Sequence, residues 1–443
     1  MNFFGRTEEI EVLRKARARS LSNASFTIVT GRRRVGKTEL IDRALNDGAG
    51  DYVYLLISRQ AEKPLCAALQ SEVLRVLGHR ISIYGTATRL IDIVREVFKA
   101  SVAKPLTLVI DEFQEIERID SAFFSELQAL WDSMHKTAKI NLVVSGSIYR
   151  LMVKIFFDRH EPLYGRCTGR IHLEPFYPSV LKDILGEHNP NYAKEDLLAL
   201  WTITGGVARY VELFMDDKAF TRRKMINAFF SASTTFIDEG RNVLSEEFGQ
   251  ENAVYFSILA AVAGGKTRFS EIESMVGLDV GTYLGNLERH YGLLRKVLPM
   301  FAKPNAKNAA YGIDDCFFRF WFRFVFKNQH LIALRQYDVL KQIVERDFDV
   351  FSGRALEDYF RAKFIEGQKY SRIGGWWDRK GENEIDLVCE NELSNVLDIY
   401  EVKRDPRRID MDLLKKKSEA FLEKNPLLKS RKLSYSGLSM EDM

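Results

Sequence analysis

Ile28-Val29-Thr30-Gly31-Arg32-Arg33-Arg34-Val35-Gly36-Lys37-Thr38 is the stretch on which the reading of this chain turns. Ile28 to Thr30 ends an apolar, β-branched run that begins at Phe26, as a buried strand does, and Glu39 to Leu45 reads as a helix. The loop between them fits G-x-x-x-x-G-K-[ST], the P-loop pattern. Gly31 and Gly36 let the backbone curl so that the N–H groups of Arg32, Arg33, Arg34 and Val35 turn inward toward phosphate oxygens. The helix that starts beside Glu39 adds its dipole to the same anion site. Lys37 is placed to reach β- and γ-phosphates and Thr38 to offer a hydroxyl to Mg²⁺. ATP with Mg²⁺ is the expected ligand.

A second apolar strand, Leu106-Thr107-Leu108-Val109-Ile110, ends in Asp111-Glu112 about seventy residues further on. Parallel strands deliver such acids at their carboxyl ends, where ligands sit in open α/β sheets. Asp111 is expected to hold Mg²⁺ through water and Glu112 to polarise the attacking water. Ile140 to Val144 is a third such run, ending in Ser145-Gly146-Ser147, and Ser145 or Ser147 would sense the γ-phosphate or orient that water. Tyr52 to Ile57 reads as another strand, buried on both faces. Arg166 and Arg170 follow a polar loop; either is a candidate arginine finger, acting in trans in a homo-oligomer, or a plain surface charge. Helices are expected over 178–185 and 194–202, and after Gly205-Gly206 another begins at Val207. Arg209 on it is a candidate second sensor in a helical lid.

With 443 residues, 46% hydrophobic and 28% charged, the chain is expected to form several soluble domains. A net charge of +4 leaves any nucleic-acid surface to local clustering. The four cysteines form no C-x-x-C pair, against a zinc site or a disulfide framework. Met1 to Arg6 lacks the apolar run of a signal peptide, and no stretch nears the ~20 apolar residues of a membrane span. A cytoplasmic protein without membrane contact is expected.

From Asn252 the pattern changes to three helices and a pair of short strands, 293–297 and 309–313, which suggests a winged helix. Its second and longer helical stretch carries Arg289 but also Glu288, so DNA reading and a structural linker role both stand. Phe317 to Phe326 reads first as a core helix and second as a base-stacking surface. Further on, Glu357 lies in a helical stretch. Glu384-Ile385-Asp386 opens an alternating strand and Glu401-x-Lys403 closes another. If these strands pair as a hairpin, Asp386, Glu401 and Lys403 converge. Two carboxylates can hold Mg²⁺ and a lysine can activate or stabilise a hydrolytic water. The competing readings are solvated charges on a sheet, or a decayed site kept for its fold.

Phe4-Gly5-Arg6, the P-loop, Ile110-Asp111-Glu112-Phe113-Gln114, Ser145-Gly146-Ser147, Leu163-Tyr164-Gly165-Arg166 and Gly205-Gly206-Val207 together resemble the archaeal-type ATPases of the AAA+/STAND assemblage. That family often carries a C-terminal domain of unknown function (DUF234) similar to PD-(D/E)xK nucleases. The resemblance implies ATP/ADP and Mg²⁺ and puts Gly5 and Arg6 among the nucleotide contacts. It sets Glu357, Asp386, Glu401 and Lys403 at the positions of the nuclease motif. Ala208 departs from it, standing where the family often has proline.

The expected architecture is α/β: a P-loop parallel sheet (1–175), a helical lid (176–248), a winged-helix middle domain (249–328) and a restriction-endonuclease-like domain (329–443). The expected function is ATP hydrolysis coupled to a metal-dependent nuclease-like domain acting on DNA, with a homo-oligomer or a partner protein as further company. The alternative is an ATP-gated binding or signalling protein whose C-terminal domain does not cleave. A small-molecule kinase is disfavoured, because it needs neither the Asp-Glu pair nor so large a C-terminal half.

Overall fold

The computed structural model describes all residues except 49, 82–84, 148, 249–251, 304, 305 and 307, so the expected start of the middle domain at 249 lies outside the described residues. The chain forms two compact units, Gly5–Glu174 and Met1–Phe4 with Pro175–Met443.

The first unit is built on a five-stranded parallel sheet: β1 (Ser25–Thr30), β2 (Asp51–Leu56), β3 (Leu106–Asp111), β4 (Ile140–Gly146) and β5 (Gly169–His172), in the order β2-β3-β4-β1-β5. β1, β3 and β4 are buried along their whole length, as their unbroken apolar sequences require. The strand over 52–57 departs from expectation. β2 is an edge strand and is not covered on both faces: Val53 and Leu55 pack with Leu65 and Leu69 of the helix Glu62–Leu77, while Tyr52 and Tyr54 face the other way and Leu56 is exposed. Tyrosine suits position 54, since its ring packs and its hydroxyl still finds a polar partner.

The second unit begins with helices Pro178–His188, Lys194–Thr204, Ala208–Asp216, Arg222–Phe229 and Phe236–Phe248. Helices Asn252–Ala263, Phe269–Val276 and Gly281–Arg289 follow, then β6 (Leu294–Val297) and β7 (Ala310–Ile313), which pair antiparallel. The aromatic run is core. Phe317, Phe320 and Phe324 are buried, Phe317 stacks on Tyr210 with ring centroids 4.2 Å apart, and the Trp321 indole donates to the Ile237 carbonyl at 2.7 Å. Trp321–Val325 is a π turn within this segment.

The chain then runs through a 30-residue helix, Tyr337–Glu366, into a mixed sheet. Its strands are β8 (Arg372–Trp377), β9 (Glu384–Asn391), β10 (Val396–Val402) and β11 (Lys432–Leu438), ordered β11-β10-β9-β8, with β10 and β11 parallel and the other pairs antiparallel. Leu387, Cys389 and Val402 share a core with the long helix, whereas Ile385, Val388, Leu397 and Ile399 pack with Leu414 and Phe421 of the helix Met411–Lys424. Between β6 and β7, Met300 and Asn308 meet the edge strand β8. Met300 N–H donates to the Gly375 carbonyl at 2.8 Å, and the Trp377 indole donates to the Asn308 carbonyl at 2.9 Å.

Phe317 sits between Tyr210, Phe229, Phe236 and Phe318. Phe317→Ala is therefore expected to lower stability by about 3–5 kcal/mol, read from the denaturant midpoint at unchanged slope.

Candidate functional site

β1 hands the chain to the glycine loop at Gly31, where a side chain would not fit: a Cβ would stand 2.6 Å from the Leu173 carbonyl oxygen. Gly36, at φ 93°, starts the helix Lys37–Leu45 from a left-handed conformation that favours glycine. The buried Lys37 ammonium donates to the carbonyls of Gly31 (2.9 Å) and Arg32 (3.1 Å). Thr38, on the helix's first turn, donates its hydroxyl to Asp111 Oδ2 at 3.0 Å. Asp111 is buried and accepts three further hydrogen bonds, from Tyr54 Oη (2.5 Å), Ser145 Oγ and the Glu112 N–H (2.9 Å). Glu112 takes a left-handed backbone, φ 54°, as the strand ends, and its Oε2 accepts from Ser147 Oγ at 3.0 Å and Gln114 Nε2 at 2.5 Å. Strands β1 to β4 thus bring a lysine, a hydroxyl, two carboxylates and two serines to one end of the sheet. Thr38 and Asp111 are hard oxygen donors of the type Mg²⁺ selects.

In the C-terminal sheet, β9 carries one extra residue against β8: Trp376 pairs with Ile385, yet Gly374 pairs with Val388. Such a bulge re-aims side chains. Asp386, inside it, accepts the Val402 N–H at 2.7 Å and the Lys403 ammonium at 3.1 Å. Lys403 also meets Glu401 Oε1 at 3.0 Å, so its ammonium stands between the two carboxylates. They hold it above its ordinary pKa, Asp386 foremost, against the cost of burial. Lys417 lies 3.8 Å from the same Glu401 oxygen. Glu401 Oε2 is buried and has no hydrogen-bond partner among the described residues, a donor free for a cation. From the long helix, Glu357 faces Asp386, and burial followed by that neighbouring charge pushes its pKa up to about 8. Arg404 ties the end of β10 to the helices beside it, donating to Ser352 Oγ (2.5 Å), Glu195 (2.8 Å) and Asp349 (3.1 Å). Among the described residues no three His, Cys, Asp or Glu side chains form a preassembled metal cage.

Residues 3–214 match a family described as an ATPase domain predominantly from Archaea, and residues 321–414 match a family of archaeal and bacterial proteins of unknown function. The chain carries an archaeal-type ATPase domain. An uncharacterized protein of Methanocaldococcus jannaschii is 26% identical over 435 residues, which is 94% of this chain and 91% of that one. The fold is similar to that of the Walker-type ATPase PABY2304 of Pyrococcus abyssi (TM-score 0.53, 21% identity, 72% of this chain and 96% of that one). It is also similar to that of the ORC2 protein of Aeropyrum pernix, solved in ADPNP–ADP complexes (TM-score 0.51, 14% identity, 77% and 95%).

Within the ATPase domain, Arg6 reaches the Glu174 carbonyl at 2.6 Å from a left-handed start to its helix. The hydrogen bond from His172, with Arg32 and Arg6 nearby, holds Glu174 below the usual carboxylate range. Gly5, Arg6 and Arg32 therefore gather at the carboxyl end of β5, close to the glycine loop. Val35 is buried in that loop and Glu39 is exposed on the first helical turn.

Arg166 is not brought to this end. It forms a two-pronged ion pair with Asp132, at 3.0 and 2.8 Å, beside Thr168, which bonds Phe26 at the amino end of β1. Six residues of strand separate that place from the P-loop, so Arg166 does not meet the P-loop of its own chain. Arg170 lies over the Phe157 ring, and Arg209 pairs with Glu212 on its own helix at 2.7 Å. Sequence reasoning missed Tyr54, Gln114, His172 and Glu174. The tyrosine was hidden inside an apolar run, where an aromatic reads as packing.

In the metal-free protein Glu357 keeps its proton to about pH 8, whereas the unfolded chain releases it near 4.5. The folded state binds the extra proton between these values, so this contribution to stability is full below about pH 4.5 and is lost as pH rises toward 8. Denaturant titrations in EDTA from about pH 5 to 8.5 should show wild type losing stability relative to Glu357→Gln. A difference between the two that does not change with pH would remove the assignment.

Proposed function

We propose that this protein is a Mg²⁺-dependent ATP hydrolase whose ATPase domain serves a C-terminal, nuclease-like domain directed at DNA. The observation that carries the reading is the convergence of Lys37, Thr38, Asp111, Glu112 and Ser147 at the carboxyl ends of adjoining parallel strands. Lys37 and the loop N–H groups bind the phosphates, and Thr38 would hold Mg²⁺, its hydroxyl oriented by Asp111. When bound, that ion neutralises charge on the transferring phosphoryl group. Glu112, held in place by Ser147 and Gln114, orients the water. Lys37→Ala is expected to abolish nucleotide binding. Glu112→Gln is expected to keep binding and slow turnover by about 10²-fold or more, measured as phosphate release. Normal turnover in Glu112→Gln would assign the water to another residue.

For the C-terminal domain, support comes from the meeting of Asp386, Glu401 and Lys403 beside Glu357 and from the unpartnered Glu401 oxygen. These two acids are the oxygens that would hold Mg²⁺, and Lys403 would place a positive charge near the scissile phosphate. Three helices followed by an antiparallel pair support a winged helix at 252–313.

A second reading, an ATP-gated binding protein that does not cleave, is favoured by one observation: the Lys403 ammonium itself lies between the two carboxylates. Mg²⁺- or Mn²⁺-dependent cleavage of plasmid, linear and branched DNA, with and without ATP, separates the two. Cleavage lost in Asp386→Ala supports the nuclease. No cleavage by wild type, with ATP turnover intact, supports the binding protein.

A further inference from the structure

We infer that Tyr54 is a positioning residue of the Mg²⁺ site, fixing the Asp111 carboxylate that Thr38 leans on; this rests on the reading of the P-loop end as an ATP–Mg²⁺ centre. An ionised carboxylate accepts about four hydrogen bonds in its plane. All four positions on Asp111 are taken: Thr38 and Tyr54 on Oδ2, Ser145 and the Glu112 N–H on Oδ1. A carboxylate only accepts, so the Thr38 hydrogen points at Asp111 and the threonine lone pairs point away, toward the loop side where a cation would sit. That orientation holds only while Oδ2 keeps its place.

Ser145 and the Glu112 amide anchor the other oxygen. Tyr54 is the remaining brace on this one, and it comes from the neighbouring strand. In the β2–β3 register Leu56 lies beside Asp111 and Tyr54 beside Val109. Two residues of strand, roughly 6–7 Å, is about the reach of a tyrosine side chain, so its hydroxyl arrives level with the carboxylate. The ring faces away from the apolar side of β2, where Val53 and Leu55 pack. Packing alone does not call for a hydroxyl there. Tyr52, two residues earlier on the same face, has a buried hydroxyl that bonds none of these groups, which makes it the internal control.

The test is a fluorescent ADP titration of the full-length protein, in EDTA and across a Mg²⁺ series, with turnover measured alongside. In Tyr54→Phe the Mg²⁺ concentration that half-maximally tightens nucleotide binding should rise about tenfold, the loss expected for one hydrogen bond to a charged group. Affinity in EDTA should stay within about twofold, since the loop amides and Lys37 are untouched. Added Mg²⁺ should restore turnover, placing the defect in the metal's half-saturation and not in kcat. Tyr52→Phe should follow wild type. In an Asp111→Asn background the Tyr54 change should add nothing, because it acts through that carboxylate.

Three results overturn the inference while leaving the ATP–Mg²⁺ reading intact: a Tyr54→Phe titration that overlays wild type, an equal loss in EDTA, or additive losses in the double variant. Wild-type protein that binds nucleotide without any dependence on Mg²⁺ overturns both.

Discussion

A carboxylate at the end of a strand covered on both faces has lost its water and must be met by donors of the protein's own. Desolvating such a charge without compensation costs several kcal/mol. Asp111 is met from four directions: the first turn of a helix, two flanking strands and its own next amide. Each donor is delivered by an element whose position the parallel sheet dictates. The sheet's register therefore reappears in the site as the orientation of one carboxylate, and through it of Thr38. Glu112, one residue on, is turned out by its left-handed backbone into a different pair of donors, Ser147 and Gln114. Two adjacent acids thus enter different environments, one saturated and buried, the other partly exposed.

The C-terminal carboxylates follow another logic. Their strands run antiparallel, and a bulge turns Asp386 so that it takes the Val402 amide, whose neighbour supplies the Lys403 ammonium. Here charge neutralises charge: a lysine spans two acids, while a third acid from the long helix is driven toward its neutral form. The ATPase centre compensates its buried acid with neutral hydroxyl and amide donors. The C-terminal cluster uses ionised groups whose balance any bound cation would shift.

The parts of this arrangement that depend on backbone conformation or on simple periodicity were legible in the sequence. Glycines at fixed spacing around Lys37 and Thr38 announce a loop that only glycine permits, and the period-two spacing of Glu401 and Lys403 announces a shared face. What escaped depends on distance across elements. Nothing in Tyr52-Val53-Tyr54 distinguishes a tyrosine that packs from one that donates to the next strand, and the run gave no sign that β2 lies at an edge. The extra residue in β9 leaves no mark of its own, since Glu384-Ile385-Asp386-Leu387 alternates normally. Arg166 illustrates the reverse limit: its motif is conspicuous, but only the register of β5 against β1 shows that it belongs to the far end of the sheet.

One feature of the C-terminal sheet reaches past the site. β8 is one of its two outer strands, and an outer strand offers unpaired amides and carbonyls as a template to any other extended chain. Between β6 and β7, Met300 meets that border at Gly375 and Asn308 at Trp377, and Phe301 rests near the Arg372 guanidinium and the Phe421 ring. The small hairpin module thereby shields the domain that follows it against intermolecular strand pairing. A C-terminal fragment cut after that hairpin would keep its carboxylates and its lysine but pair strand to strand with its own copies, because the border at Gly375 and Trp377 would be open.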